Sequence, residues 1–382
     1  ATTPIAGLGL AAVVGREVAA ATANDPARSR ASLVSFLMGT CVSAAMVVAA
    51  VLVGAVTLLQ RTGWMTETTA LALLLVAALL PLVTLATGLG AVQNGLRRIV
   101  ESQLPTQILQ PLVLCAGAGA ALVAWGAGAG ASTSALMLQL LGAAAALALA
   151  AFFLARRIAV RSILAASWLD LPRPPRELLL AGLMLVGAGL VAVLQGQADI
   201  LLLGSLAGPE IAGPYHAASR MAQLLIVVHN AGWATLGPLA ASKLRGSDRP
   251  DLQRDVDFYL LYTVLPLLPV AALLIAVPGL ALSLFGAGFE GATAALQILT
   301  LAWLFQIATG PAYLLLICAG AERHILIGSI VALTLTVPLN LLLIPVYGTV
   351  GAAVASAAAM TAQKIYLVYH VERSTGLRTT VL

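Results

Sequence analysis

The sequence predicts an all-α integral membrane protein, a polytopic bundle of long apolar helices. Of its 382 residues, 60% are hydrophobic and only 9% are charged, and the mean hydropathy is +1.00. Soluble globular domains do not have this composition. The 35 glycines suit the close approach of helices in lipid. The apolar runs are too long for strands and lack the alternation that a membrane β-barrel requires.

Eleven apolar segments are long enough to cross a hydrocarbon core that is about 30 Å thick. They cover residues 1–22, 32–60, 66–95, 104–128, 132–156, 177–206, 209–242, 257–286, 291–319, 324–346 and 348–370. Prolines interrupt several segments and predict kinks, at Pro81, Pro111, Pro238, Pro266, Pro269, Pro278, Pro311, Pro338 and Pro345. The sequence begins inside an apolar segment without a methionine. We therefore expect the natural protein to continue beyond this end.

Basic residues alternate between the loops and predict the orientation of the chain. They recur in every second loop, at Arg28, Arg97, Arg157, Lys243 and Arg323, and again in the C-terminal tail. By the positive-inside rule, these loops and the C-terminus face the cytoplasm. The opposite loops are short, so the sequence provides no large outward domain for catalysis.

The chain repeats itself in parallel. Asp25, which precedes a pair of arginines, corresponds to Asp248, and Arg98 corresponds to Arg323, at an offset of about 224 residues in both cases. Parallel repeats related by an axis along the membrane normal are a transporter architecture. The repeat predicts twelve spans in two six-helix lobes, with one helix missing before Ala1.

The repeat also predicts the domain boundaries. Residues 1–157 form the first lobe, without its first helix, and residues 177–382 form the second lobe. Residues 158–176 are rich in arginine and proline, which indicates a cytoplasmic linker between the lobes.

One arginine lies deep inside an apolar segment. Arg220 is in the 209–242 segment, and Asp199 is at a comparable distance on the other side of the turn at Gly208. At about 1.5 Å per residue, both reach about 14–18 Å into the bilayer. An ionisable residue at this depth is costly and indicates function by default. Asp199 is also a candidate proton-coupling site, and we expect H⁺ or Na⁺ as the coupling ion if transport is coupled.

Further polar residues accompany this pair. On the 209–242 segment, His216, Gln223 and Asn230 share one helical face with Arg220, and Gln195 lies one turn before Asp199. Two interpretations are open. The residues line a hydrated cavity whose guanidinium attracts an anionic group such as phosphate, or Asp199 and Arg220 form a structural pair between helices. Arg16, near the cytoplasmic end of the first segment, is a gate or head-group contact, or simply an interfacial residue.

Several classes of chemistry are excluded by the sequence. The four histidines are scattered without metal-ligand spacing, and no phosphate-binding loop or dinucleotide fingerprint is present. We therefore expect no cofactor, no bound metal and no nucleic-acid partner, and we expect the protein not to be an enzyme.

Three stretches resemble a known family. They are Asn340–Ala359, with an Asn, a Pro and then a Gly before a GAA-type helix start; Gln197–Leu225, with an acidic turn followed by Gly-x-Tyr and Ala-x-Arg; and Gly15–Ala19. They resemble the polysaccharide biosynthesis and O-antigen flippases of the multidrug/oligosaccharidyl-lipid/polysaccharide (MOP) exporter superfamily. The resemblance implies a V-shaped pair of six-helix lobes, as in the drug/cation antiporters (MATE transporters) of the same superfamily.

The resemblance also implies a function. These proteins move undecaprenyl-diphosphate-linked oligosaccharides across the bacterial cytoplasmic membrane by alternating access, and Arg220 best matches a cationic cavity position. Expected partners are the lipid-linked oligosaccharide, membrane lipids, and a polysaccharide polymerase with other assembly proteins. The alternatives are a MATE-type drug/cation antiporter, a lipid II flippase of the same fold, or a membrane polysaccharide polymerase or ligase.

Overall fold

The computed structural model describes residues 27–62, 67–96, 98–125, 131–156, 175–244, 249–286 and 288–379. Every regular element within these residues is a helix, which confirms the all-α class. The first apolar segment, 1–22, and most of the 158–176 linker lie outside them.

The chain divides into two compact units, Ala1–Val186 and Gly187–Leu382. The described α-helices of the first unit are α1 (Ala27–Arg61), α2 (Glu67–Gly95), α3 (Ile99–Gln103), α4 (Gln110–Trp125) and α5 (Ala131–Ala155), with a π-helical turn at Leu104–Leu109 between α3 and α4. Helix α2 packs against both α1 and α5. Leu79 and Val83 meet Ala143 there, and Gln93 Nε2 donates a 2.8 Å hydrogen bond to the carbonyl of Ala150. The small Ala143 thus allows the two helices to approach closely.

The long helix α6 (Pro175–Ala207) leads into the second unit. The later helices are α7 (Pro209–Ala222), α8 (Ile226–Lys243), α9 (Arg249–Val264), α10 (Leu267–Ala276), α11 (Pro278–Ser283), α12 (Thr293–Ala308), α13 (Ala312–Ala319) and α14 (Glu322–Thr375). A buried cluster of this unit joins α7, α12 and α14 around Tyr215, Leu296 and Ala352. The functional residues described below lie beside this cluster.

The helices agree with a multi-pass membrane protein. By length and composition, six helical stretches of the described residues could cross a membrane, and a seventh could if the bent pair of stretches Glu210–Trp233 and Thr235–Lys243 is one span. Helix α14 contains two of the predicted spans, 324–346 and 348–370, and Gly348 between them has a non-helical φ of +56°. The total of eleven spans, the two six-helix lobes and the predicted boundaries at residues 157 and 177 stay predictions.

Several segments that were predicted as single helices are broken. The 257–286 segment is divided into α9, α10 and α11, with breaks next to Pro266 and Pro278, and the 291–319 segment breaks at Pro311. Proline lacks the backbone N–H that would continue the helix, and its ring clashes with the preceding turn. The predicted kinks are therefore confirmed at these three prolines, where they separate distinct helices, whereas Pro81, Pro238, Pro338 and Pro345 lie inside helices.

The predicted 209–242 helix is wrong as a single element. It consists of α7, a 3₁₀ turn at Gln223–Leu225, and α8. A bend of 45° separates the stretches Glu210–Trp233 and Thr235–Lys243. The 3₁₀ turn has about three residues per turn instead of 3.6, so the helical phase changes at Gln223. Positions spaced for one straight α-helix therefore do not keep a common face through this segment.

Candidate functional site

Asp199 joins three helices of the second unit. Its Oδ2 accepts hydrogen bonds from the hydroxyl of Tyr215 at 2.7 Å and from the Oγ of Ser356 at 2.9 Å. Its Oδ1 accepts from the backbone N–H of Ile200 at 3.1 Å. Asp199 is only 6% exposed and Tyr215 is fully buried. The carboxylate therefore connects α6, α7 and α14 inside the protein through neutral donors.

Glycines bring these three side chains together. Gly208, with φ +93°, turns the chain between α6 and α7, so that Tyr215 returns alongside Asp199. In α14, a Cβ on Gly351 would collide with the backbone of Leu343. The two arms of α14 can therefore approach closely next to Ser356 only because residue 351 has no side chain.

A second polar group lies on the exposed side of α7. Arg220 Nη1 donates a 3.0 Å hydrogen bond to Gln223 Oε1, and Arg220 Nε lies 3.5 Å from His216 Nε2. Gln223 Nε2 in turn donates to Ser219 Oγ at 3.2 Å. Arg220 is exposed, whereas Ala218 and other residues on the opposite side of α7 are buried in the core. We call His216, Ser219, Arg220 and Gln223 the Arg220 face.

The structure brings together only part of the predicted site. His216, Arg220 and Gln223 form one hydrogen-bonded group, as their spacing predicted. Asn230 is exposed on α8, beyond the 3₁₀ turn. Gln195 is half-buried on α6 one turn before Asp199. Arg16 lies outside the described residues.

Asp199 and Arg220 do not form the structural pair considered from the sequence. Within the described residues, the hydrogen-bond partners of Asp199 are Tyr215, Ser356 and the backbone of Ile200, and those of Arg220 are His216 and Gln223. Tyr215 occupies the side of α7 that faces Asp199, and Arg220 lies five residues further along the chain. The acid and the base therefore belong to two separate groups.

Sequence reasoning missed a buried cation. Lys364 of α14 is 6% exposed, and its Nζ donates a 2.6 Å hydrogen bond to the carbonyl of Gly310. Near it, His229 Nδ1 and the hydroxyl of Tyr259 are 2.7 Å apart and link α8 to α9. The sequence did contain an indication of this buried cation, because Lys364 is the one lysine in the apolar stretch 348–370. Tyr215 and Ser356 gave no such signal, since hydroxyl residues are common in membrane helices.

The described residues offer no obvious metal site. Within them, no three His, Cys, Asp or Glu side chains lie close enough together to hold a metal ion. The charged groups described here are an exposed guanidinium with neutral partners, a buried carboxylate held by hydroxyl groups, and a buried lysine, and such groups are suited to recognition and charge compensation.

The fold is that of the MATE and MOP transporters. A crystal structure of MATE in the bent conformation is 15% identical, with a TM-score of 0.73 over 98% of this chain and 84% of that chain. A MOP superfamily transporter from Pyrococcus furiosus is also 15% identical, with a TM-score of 0.72 over 99% and 86%. The MATE transporter ClbM in complex with Rb⁺ is 13% identical, with a TM-score of 0.66 over 94% and 83%. The class is thus a multi-pass membrane protein with a transporter fold.

The family to which the chain belongs follows from a match of its sequence. Residues 2–242 match the family described as polysaccharide biosynthesis protein, and this match covers more than half of the chain, including Asp199 and Arg220. The chain belongs to the polysaccharide biosynthesis protein family. No protein of curated function matches it.

Proposed function

We propose that the protein is a flippase that moves undecaprenyl-diphosphate-linked oligosaccharides across the bacterial cytoplasmic membrane by alternating access. In this proposal, the Arg220 face binds the diphosphate, and the protein transports its substrate without changing it chemically. The single observation that carries the proposal is the exposed guanidinium of Arg220, which has only neutral partners within the described residues.

The charge of Arg220 requires compensation. Gln223 and His216 accept hydrogen bonds from the guanidinium but do not neutralise it. Inserting an arginine at the centre of a membrane helix costs about 2.5–3.5 kcal/mol even on the lenient scale. Arg220 lies about 18 Å along the helix from the turn at Gly208. An exposed arginine at this depth is tolerated where it faces water or an anion, and it is unfavourable against acyl chains.

The geometry of the guanidinium favours a phosphate ligand. Arginine presents a planar fork of donors that matches two oxygens of a phosphate. Gln223 and His216 engage one N–H of Nη1 and the N–H of Nε, which fixes the plane of the fork and leaves the second N–H of Nη1 and both of Nη2 for a ligand. A lipid-linked diphosphate brings such an anion to membrane depth, and the family supplies the context of polysaccharide synthesis.

Breaks between helices provide hinges for conformational change. The 45° bend within α8, between Trp233 and Thr235, lies within 15 residues of Arg220, and the breaks at Pro266 and Pro311 divide the neighbouring spans. Rigid segments joined at such positions can reorient while their internal hydrogen bonds stay intact. This supports alternating access as the transport mechanism.

Asp199 is the candidate for cation coupling. It is a buried acid whose side-chain partners, Tyr215 and Ser356, are neutral. A proton or Na⁺ bound there would change the charge at a point where three helices meet, and this would alter their packing. The related ClbM structure contains Rb⁺. We propose that H⁺ or Na⁺ binding at Asp199 drives the transport cycle.

The proposed setting follows from the same argument. The basic loops and the C-terminus face the cytoplasm of a bacterium, and the substrate arrives from glycosyltransferases on that side. Polysaccharide polymerases and other assembly proteins would receive the product on the opposite side. Gln195 and Asn230 are proposed to extend the polar path away from Arg220, and Arg16 stays a predicted gate or head-group contact.

The test is complementation of a strain that lacks the chromosomal gene, with the parental or the substituted gene supplied in its place. Arg220→Ala should reduce surface polysaccharide at least tenfold while membrane insertion is unchanged, measured by extraction of polysaccharide and by immunoblot of membranes. Arg254→Ala is the matched control, because Arg254 is exposed and only loosely paired with Asp251 at 3.9 Å. Normal polysaccharide in the Arg220→Ala strain would reject the ligand role.

The fold itself favours one competing function, a drug/cation antiporter, because the matched structures are MATE transporters. That function predicts drug resistance conferred by the gene, and it requires no effect on polysaccharide. Drug-susceptibility assays on the same strains therefore separate the two. Resistance that depends on Asp199, together with normal polysaccharide, would favour the antiporter.

A further inference from the structure

The segment after α14 folds back onto the protein. Helix α14 ends at Gly376, which has φ +71° and donates its N–H to the carbonyl of Glu372. The N–H of Leu377 then donates to Thr375 Oγ1 at 3.3 Å. Leu377 is 3% exposed and Thr379 is fully buried. We call Gly376–Thr379 the tail. Its burial shows that this short segment packs against the second unit.

Gln253, in the first turns of α9, holds the tail at its backbone. Its Nε2 donates to the carbonyl of Arg378 at 2.9 Å, and its Oε1 accepts from the N–H of Arg378, also at 2.9 Å. The amide side chain of Gln253 thus pairs with both the N–H and the carbonyl of Arg378, as the backbone of a neighbouring β-strand would. The contact depends on the position of the tail and is independent of the side chain of Arg378.

Gly310 contacts the tail at Thr379. It lies in the break between α12 and α13 with φ +83°, and a Cβ at this position would collide with the backbone carbonyl of Thr379. The carbonyl of Gly310 also accepts the 2.6 Å hydrogen bond from Lys364. A single backbone residue therefore connects the tail, the break and the buried lysine of α14.

The break is a point where the backbone can move. Thr309 ends α12, Gly310 has a left-handed conformation, and Pro311 precedes α13 without an N–H to continue the helix. Few backbone hydrogen bonds cross such a joint, so its conformation depends on the groups packed against it. Here those groups are Thr379 of the tail and Lys364.

We propose that the tail is a latch that fastens the cytoplasmic end of α9 to the joint between α12 and α13. While the tail is docked, Gln253 and Gly310 hold these helices in one arrangement. Its release frees the joint and is required for the helices of the second unit to rearrange during each transport cycle. This last step rests on the proposed function, whereas the docking itself does not.

The docking is tested by hydrogen–deuterium exchange on the purified protein. Gln253→Ala removes both bonds to Arg378, and it should increase amide exchange at least tenfold in the tail and in residues 309–316. Asp257→Ala is the matched control, because it removes the other partner of Gln253, at 2.8 Å on the same helix, without touching the tail. Unchanged exchange at 309–316 in the Gln253→Ala protein would overturn the latch.

The release step is tested by locking the tail. Gln253→Cys and Arg378→Cys are combined in a protein whose three native cysteines are replaced by serine, and the pair is bridged with a reducible methanethiosulfonate cross-linker. In proteoliposomes, movement of a fluorescent undecaprenyl-diphosphate disaccharide should fall at least tenfold when bridged and recover on reduction. Equal movement in both states would refute the release step.

The exchange and cross-linking experiments distinguish failure of the latch from failure of the flippase function. If the unbridged protein does not move the probe, the flippase function fails, and the exchange experiment still decides the latch. Each single-cysteine protein treated with the same reagent controls for modification alone. Inhibition of a single-cysteine protein that equals that of the bridged pair would also contradict the latch.

Discussion

The hydroxyl of Tyr215 donates a 2.7 Å hydrogen bond to the carboxylate of Asp199, across the turn that separates α6 from α7. This contact places Asp199 on the packed side of α7, whereas Arg220 lies on the exposed side of the same helix. This separation supports the proposal that the two ionisable residues have different tasks, Asp199 in cation coupling and Arg220 in binding an anionic substrate.

Removing the Tyr215 hydroxyl should weaken the junction at Asp199. Tyr215→Phe deletes one of two side-chain donors to a buried carboxylate, and we expect a loss of about 1.5–3 kcal/mol in the free energy of unfolding. Thermal unfolding in detergent measures the change. Tyr262→Phe, at a tyrosine that is 69% exposed, should unfold at the parental temperature. An equal shift in both variants would contradict the assigned bond.

Asp199→Asn tests the coupling role with little change in shape. The amide oxygen can still accept from Tyr215 and Ser356, and only the longer contact with the N–H of Ile200 is lost, so the folded protein should still accumulate. Because the asparagine carries no charge, transport should no longer respond to an imposed H⁺ or Na⁺ gradient. The measurement is substrate movement in proteoliposomes with and without each gradient. A gradient response that survives the substitution would remove Asp199 from the mechanism.

Arg220→Lys separates the charge of the guanidinium from its geometry. Lysine keeps the positive charge but cannot form the paired hydrogen bonds of the fork. The loss of one charge-assisted bond of about 1.5–3 kcal/mol corresponds to a weakening of roughly tenfold to a hundredfold. We therefore expect surface polysaccharide between the levels of the parent and of Arg220→Ala. Full activity with lysine would show that the charge alone is sufficient.

Gly232 sets the distance between α8 and α9. A Cβ at this position would lie 2.5 Å from Tyr259 Cε2 and 2.8 Å from the Thr263 methyl group. Gly232→Ala should therefore cost about 1–3 kcal/mol through overpacking. Gly196→Ala is the control, because a methyl group at that position would meet no other atom within 4 Å. Thermal unfolding should show a lower transition for Gly232→Ala only.

Lys364→Glu should be strongly destabilising. It would place a carboxylate against the carbonyl of Gly310, so two acceptors would meet in a buried site without a donor. Breaking a buried charged contact typically costs about 3–5 kcal/mol. Lys243→Ala is the comparison, since the 2.7 Å contact between Lys243 and Asp255 is partly exposed and contributes little. Normal accumulation of Lys364→Glu in membranes would contradict the structural role of this lysine.

Much of the fold could be predicted from the sequence, because the length and hydropathy of a membrane helix are local properties. The segments 32–60, 66–95 and 132–156 correspond to α1, α2 and α5 with small differences at their ends. The predicted breaks at Pro266 and Pro311 are also local, since proline removes its own hydrogen bond. Helical spacing likewise predicted that His216 and Gln223 would accompany Arg220.

Tertiary structure determined which residues contact each other. Asp199 and Ser356 are separated by 157 positions, and Lys364 and Gly310 by 54, so no periodicity in the sequence relates them. The 3₁₀ turn that moves Asn230 out of phase with Arg220 depends on packing between helices. The amino-acid sequence alone determined which segments are apolar enough to be helices in a membrane. Only the folded chain determined which polar groups are paired inside it, because hydrogen bonds form between residues that the fold brings within about 3 Å of each other.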